Sequence, residues 1–212
     1  MRYERKYRLE ITHLSVVEQI VKNHPASFTK AFPDRKVNNI YFDTPSLNCY
    51  QDNQMGVSQR KKFRVRWYGD AESTVENPTL EVKIRDNALG YKEVHELPSF
   101  DLDHLYPLTR NVNSQFGNLM KLQPVLYNSY ERSYYESFNH KVRLTIDREM
   151  KFRSACVSPL SNQTVMEDPA VVVEIKYASN LETWATDMMQ YIPFRMTKNS
   201  KYVNGIDILS FV

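Results

Sequence analysis

Cationic side chains recur at every second position in several short stretches of this sequence, and a few carboxylates stand among them. Lys62, Arg64 and Arg66 alternate with Phe63, Val65 and Trp67, and Glu81, Lys83 and Arg85 alternate with Leu80, Val82 and Ile84. Lys141, Arg143, Thr145 and Asp147 alternate with Val142, Leu144 and Ile146; Glu174 and Lys176 alternate with Val173, Ile175 and Tyr177; Glu4, Lys6 and Arg8 form a similar series near the start. Neighbours in a β-strand point to opposite faces, so each stretch separates into an apolar face and a charged one. Lys6, Arg8, Arg64, Arg66, Lys83, Arg85, Arg132, Arg143, Lys176, Lys198 and Lys201 make eleven cations against four carboxylates, Glu4, Glu81, Asp147 and Glu174. On a single strand such a face is the ordinary solvated side of a sheet. Repeated over at least five strands, it crowds like charges that repel one another unless an anion neutralises them.

Arginine offers a planar fork for two parallel hydrogen bonds to phosphate oxygens, whereas lysine offers a compact point charge. Carboxylates in such basic surroundings are costly unless they hold something. Hard divalent cations, bound through one or two carboxylates plus substrate phosphates, account for them. Glu174 is the first candidate ligand. Glu4, Glu81 and Asp147 are either further ligands or ion-pair partners of nearby Lys and Arg. Tyr130 shares a face with Arg132, where it could hydrogen-bond a phosphate or approach a base. Other chemistries have little to stand on. His13, His24, His95, His104 and His140 lack metal-ligand spacing and are expected at the surface. Neither a Walker loop nor a Gly-rich dinucleotide fingerprint is present.

The elements that must position these residues are mostly strands. Alternation and β-branched or aromatic content predict them over Tyr3 to Glu10, Asn38 to Asp43, Lys61 to Gly69, Thr79 to Asp86, Tyr91 to Leu97, Val125 to Tyr135, Lys141 to Arg148 and Ala170 to Tyr177. Helices are expected over Leu14 to Asn23, somewhere within Asp101 to Leu122, and over Leu181 to Tyr191 with Asn180 as its N-cap. This ratio describes an α+β, β-rich fold: an antiparallel β-barrel with a few helices packed outside and its charged faces turned inward. With only five glycines, no low-complexity stretch and no repeat, residues 1–212 read as one domain. The formal charge of +3 argues neither for nor against nucleic acid, and no nucleic-acid partner is expected. Cys49 and Cys156 show no Cys-x-x-Cys spacing, which suits a reducing compartment. Met1 to Lys6 is charged from the outset, and no apolar run reaches the roughly 20 residues of a membrane span. A cytoplasmic protein without its own signal peptide or anchor is expected.

An ordered series of motifs runs through the chain: Glu4-Arg5-Lys6-Tyr7-Arg8-Leu9, Asn39-Ile40-Tyr41-Phe42-Asp43-Thr44, Lys62-Phe63-Arg64-Val65-Arg66-Trp67-Tyr68-Gly69 and Leu80-Glu81-Val82-Lys83-Ile84-Arg85. It continues with Tyr130-Glu131-Arg132-Ser133-Tyr134-Tyr135, Arg143-Leu144-Thr145-Ile146-Asp147, Val173-Glu174-Ile175-Lys176-Tyr177 and Lys198-Asn199-Ser200-Lys201-Tyr202. The series resembles the vacuolar transporter chaperone (VTC) domain, the polyphosphate-polymerase branch of the triphosphate tunnel metalloenzymes. The resemblance implies a tunnel of antiparallel strands, ATP as phosphoryl donor, a manganese or magnesium ion and inorganic polyphosphate as product. Carried over by position, it implies that Lys6, Arg64, Arg66, Lys83, Arg132, Arg143, Lys176, Lys198 and Lys201 hold phosphates. Tyr130 and Ser200 would assist, with Arg8 and Arg85 as further substrate contacts, and Glu174 would anchor the metal.

Hydrolytic relatives open with Glu-x-Glu-x-Lys, but here Arg2 takes the first of those positions before Glu4 and Lys6. That departure disfavours a triphosphatase. The membrane helices and regulatory domain of eukaryotic members have no counterpart in these residues, so neither transport nor inositol-phosphate sensing is expected of this chain. Any membrane-protein partner is left unspecified. A triphosphatase or polyphosphatase of the same tunnel fold and a non-catalytic polyanion-binding module are the alternatives.

Overall fold

The computed structural model describes residues 2–10, 13–70, 73–87, 89–117, 120–157 and 159–210. In chain order the elements are β1 (Arg2–Leu9), α1 (Leu14–Lys22), β2 (Thr29–Asp43), α2 (Asn48–Met55), β3 (Gln59–Tyr68), β4 (Thr74–Val75), β5 (Thr79–Asp86) and β6 (Leu89–Glu96). There follow β7 (Phe100–Asp101), α3 (Leu105–Ser114), β8 (Gln123–Glu136), β9 (Val142–Ser154), β10 (Met166–Asp168), β11 (Val171–Ala178), α4 (Glu182–Met189) and α5 (Lys201–Ser210). The class is α+β, dominated by antiparallel strands. Among the described residues no closed barrel is found.

Contacts divide the chain into two compact units, and β2, β8 and β9 each contribute one part to either. The first unit holds 1–36, 130–150 and 168–199. Its strands run in the order β1-β11-β9-β8-β2. Alternation supplies its core: Tyr7 and Leu9 from β1, Val142, Leu144 and Ile146 from β9, and Val173, Ile175 and Tyr177 from β11 point to one side. That side is covered by Val17 and Val21 of α1 and Ala185 and Met189 of α4. In α1 the buried residues fall at i and i+4, as an amphipathic helix requires.

The second unit holds 37–129, 151–167 and 200–212, with strand order β8-β2-β3-β5-β6. Ile40, Phe42, Phe63, Val65, Trp67, Leu80 and Val82 form its inner face, packed with Leu105, Leu108 and Val112 of α3. β4 and β7 pair separately. The last helix, α5, fits by close approach, because a Cβ built on Gly205 would stand 2.6 Å from Leu126 Cδ2 and 2.7 Å from Phe152 Cδ1.

Several expectations are corrected. Asn180 is no N-cap: it lies inside a 3-10 turn, Ser179–Leu181, and Leu181 takes the cap position of α4 without a side-chain bond. β2 begins at Thr29 rather than Asn38, and β9 continues to Ser154 rather than stopping at Arg148. α2 and α5 were not foreseen. In α2 the first-turn N–H groups find their acceptor at a distance, since Asp43 Oδ1 accepts from Cys49 N–H at 2.9 Å and Oδ2 from Tyr50 N–H at 2.9 Å.

Candidate functional site

In the first unit the strand register aligns the charged residues into rows. Glu4 pairs with Lys176 and Lys176 with Arg143; Lys6 pairs with Glu174 and Glu174 with Thr145; Arg8 pairs with Val172 and Val172 with Asp147. Two carboxylates and two ammonium groups meet in this grid. Lys6 Nζ lies 2.6 Å from Glu4 Oε1 and 3.7 Å from Glu174 Oε2, and it donates to the Asn199 carbonyl at 3.2 Å. Lys176 Nζ is in direct contact with Glu174 Oε1 and stands 4.0 Å from Glu4 Oε2. Burial opposes ionisation of Glu174, yet Lys6, Lys176 and Arg132 outweigh it and hold the carboxyl well below the usual carboxylate range. Thr145 Oγ1, from the row shared with Lys6 and Glu174, is buried without a hydrogen-bond partner. In a folded interior such an atom calls for a ligand or water.

Other predicted residues of this unit are committed to protein partners. Arg132 spends its fork on Asp147, with Nε to Oδ1 at 2.5 Å and Nη2 to Oδ2 at 2.7 Å, and its guanidinium lies 5.2 Å from the Tyr130 ring centroid. Desolvation disfavours that guanidinium's charge, but Asp147 more than compensates and raises its pKa further. Asp147 is therefore an ion-pair partner in this structure. Arg8 likewise grips Asp168, with bonds of 2.7 and 3.0 Å. Arg143 and Lys198 are exposed; Arg143 Nε reaches Glu136 Oε1 at 3.5 Å. The segment carrying Lys198 follows β1, where Thr197 N–H donates to the Lys6 carbonyl at 2.8 Å. The side chain of Arg2 lies outside the described residues.

The second unit presents its own basic face opposite the apolar one. Arg64 pairs with Glu81, Lys62 with Lys83, Arg60 with Arg85, and Lys83 in turn with Lys92. Glu81 is the hub. Arg64 Nε donates to its Oε2 at 2.6 Å, Arg66 Nη1 lies 3.7 Å from the same oxygen, and Lys92 Nζ donates to Oε1 at 2.9 Å. Burial would raise this carboxyl, but Arg64 and Arg66 with the Lys92 bond bring it down to about 2. Here too the carboxylate is ion-paired. Arg66 is buried and donates from Nε to Asn39 Oδ1 at 2.9 Å, and Asn39 donates to Asn128 Oδ1 at 3.1 Å.

Ser200 caps α5: its hydroxyl accepts the Val203 N–H at 3.4 Å and the Lys62 ammonium at 2.8 Å, with Lys201 as the first helical residue. Tyr202 stacks on Tyr41, with ring centroids 5.0 Å apart, and its hydroxyl donates to Asp43. Lys83 and Arg85 are exposed on the same face, and Arg85 donates to the Asn87 carbonyl at 3.1 Å.

Sequence reasoning missed Lys92, Thr145 and Asn39. Lys92 carries no distinguishing signal until the β5–β6 register puts it opposite Lys83. The histidines divide: His13, His104 and His140 are exposed, but His24 is buried at 4% exposure. Its Nδ1 accepts from Ala26 N–H at 3.1 Å, which leaves Nε2–H to donate to the Met188 carbonyl at 3.0 Å. Burial lowers its pKa. His95 lies on β6 with Nε2 buried and unpartnered.

Among the described residues no three His, Cys, Asp or Glu gather around a possible metal ion. That donor set does not fit an all-protein cage. Glu174 and Glu4, each contacted by Lys6 and Lys176, are the carboxylates that could serve a hard divalent cation completing its shell with substrate oxygens. The unpartnered Thr145 hydroxyl beside Glu174 agrees with such an occupant.

A sequence model of the VTC domain matches residues 1–210, nearly the whole chain. The chain belongs to the VTC domain family. Among solved structures this VTC domain is similar to a protein from Pyrococcus horikoshii, at 12% identity and TM-score 0.54, covering 99% of this chain and 98% of that one. It is also similar to a Vibrio parahaemolyticus protein named as an adenylate cyclase candidate, at 14% identity and TM-score 0.55, covering 99% of this chain and 97% of that one. At such identities the likeness shows the fold alone. A search of curated proteins returns no match. Membership places this VTC domain among tunnel-fold enzymes and implies a divalent metal. No helix among the described residues is long and apolar enough to cross a membrane.

Proposed function

We propose that this VTC domain is a polyphosphate polymerase that transfers the γ-phosphate of ATP to a growing inorganic polyphosphate chain, with manganese or magnesium as cofactor. The observation that carries the reading is the register that gathers Lys62, Arg64, Arg66, Lys83 and Lys92 around Glu81 on one strand face, and Lys6, Lys176 and Arg143 around Glu4 and Glu174 on another, both opposite the core. In this reading Lys6, Arg64, Arg66, Lys83, Arg132, Arg143, Lys176, Lys198 and Lys201 contact phosphates, with Arg8, Arg85, Tyr130 and Ser200 at their margins. Residues 1–212 work as one domain in the cytoplasm, its strands forming the wall of a tunnel. The partners are ATP and polyphosphate, not nucleic acid.

A terminal phosphate oxygen of the chain attacks the γ-phosphorus in line, and the bond from that phosphorus to the β-phosphate bridging oxygen breaks to release ADP. The attacking oxygen is already ionised, so no protein base is needed. The protein's work is positioning and charge neutralisation. Glu174 and Glu4 would hold the metal, which supplies Lewis-acid neutralisation of phosphoryl oxygens when bound. Glu81 and Asp147 keep their arginine side chains extended and correctly placed.

The test is a primer experiment. With ATP, metal and short polyphosphate, the lag before polymer appears should shorten in proportion to primer. Stoichiometric free phosphate without polymer, in both metals and with primer present, would establish a triphosphatase instead.

A further inference from the structure

In the first unit a surface of a different kind borders the grid of charges. The β8–β9 hairpin closes with Ser137 N–H donating to the Val142 carbonyl at 2.9 Å, and five residues further from the turn Arg132 grips Asp147. Both pairs belong to one antiparallel register, which sets Tyr134 opposite Thr145. Thr145 in turn pairs with Glu174, and Glu174 with Lys6. Tyr134 thus extends the row that carries the candidate metal carboxylate, two strand spacings or about 10 Å from Glu174. Between them in the row stands Thr145, whose hydroxyl is buried and unpartnered.

At Tyr134 three flat groups meet. Phe32, 55% exposed, stands edge to face with Tyr134, the ring centroids 6.0 Å apart and the planes at 90°. The Arg35 guanidinium lies 5.5 Å from the Phe32 centroid and 5.8 Å from that of Tyr134. A single exposed phenylalanine needs no explanation. Two rings and a guanidinium that hold one another in place make a pre-organised surface for another flat ring, since aromatic faces and arginine planes both stack on bases. We propose that Phe32, Arg35 and Tyr134 form a nucleobase platform, on which the base of a nucleoside triphosphate stacks while its phosphates lie along the row toward Glu174 and Lys6. The Thr145 hydroxyl then meets an oxygen of the nucleotide between the base and those phosphates. Stacking reads a flat face rather than a hydrogen-bonding edge, so the platform favours nucleotides over inorganic triphosphate and discriminates weakly between purines. The inference rests on the ATP-donor reading above and adds a place for the base, which that reading leaves open.

The experiment measures, by calorimetry on the full chain with magnesium present, the binding of β,γ-imido-ATP, a nucleotide resistant to transfer of its γ-phosphate, and of tripolyphosphate. The double variant Phe32→Leu, Tyr134→Leu should bind the nucleotide roughly tenfold more weakly, the scale of a lost base stack, and tripolyphosphate as the parent does. Phe32→Trp, which keeps a stacking face, should retain nucleotide affinity, and its added indole fluorescence should be quenched by the nucleotide but not by tripolyphosphate. Melting temperatures show whether each variant is folded; if the double variant is not, the Phe32→Trp quench decides. Parallel weakening of both ligands, unchanged nucleotide affinity in a folded double variant, or no nucleotide-specific quench overturns the proposal. A parent chain that binds neither ligand overturns the phosphate-binding reading itself, and this inference with it.

Discussion

Replacing Glu81 by Gln removes a carboxylate shared by Arg64, Arg66 and Lys92 while keeping its size. The carboxyl sits at about 2 instead of its ordinary 4.5, and it is buried at 6% exposure, so solvent screens the interaction little. Each pH unit of depression is about 1.4 kcal/mol, so ionised Glu81 contributes about 3 kcal/mol to folding at neutral pH. The folded-state value lies below the unfolded one. Its contribution is therefore complete above about pH 4.5 and is lost as pH falls toward about 2.

Urea denaturation of the Glu81→Gln variant should show a deficit of about 3 kcal/mol near pH 7 that narrows steadily below about pH 4.5. Tripolyphosphate should recover much of the deficit at neutral pH, because bound phosphate restores the missing negative charge beside the three cations. Equal stability of parent and variant near pH 7 would refute the idea that Glu81 is their counter-charge. A deficit that tripolyphosphate leaves untouched would refute the idea that this face binds phosphate.

Glu174→Gln should abolish most activity and shift the metal requirement to higher concentration, because one hard oxygen ligand is lost; a titration of activity against manganese and magnesium checks this. Arg132→Ala should destabilise the chain by about 3–5 kcal/mol in urea, since it strands the fully buried Asp147, and adding Asp147→Asn should recover part of that loss. Gly205→Ala should cost about 1–3 kcal/mol, read as a lower melting temperature, because its methyl group would meet Leu126 and Phe152.

Strands were the legible part of this fold, because alternation is a local property. Thr79 to Asp86 was read with the observed bounds, and the charged faces of β1, β3, β5, β9 and β11 follow directly from it. The first half of β2 escaped because Thr29–Lys36 is largely exposed, so no apolar phase marks it, and Pro33 reads as a break. α2 escaped because its cap, Asp43, is separated from the helix by a turn rather than adjacent to it. α5 contains Gly205, which its own propensity disfavours and only packing explains.

The site divides along the same line. Which cations share a face could be read from the sequence; which carboxylate each one meets could not. From the sequence Glu81 and Asp147 are open as metal ligands or ion-pair partners, and only the structure shows the ion pairs they make with Arg64, Lys92 and Arg132. Lys92 became part of the site only through the β5–β6 register. His24 was misjudged because nothing local announces that the Met188 carbonyl will accept from it.

In the proposed reaction the nucleophile is a phosphate chain rather than water. Phosphorus NMR of the chain incubated with ATP and magnesium separates interior polyphosphate from orthophosphate in one spectrum. For polymerase activity, ADP and interior-phosphate signals should grow together, with orthophosphate a minor product. One orthophosphate per ATP consumed, and no interior-phosphate signal, would contradict it.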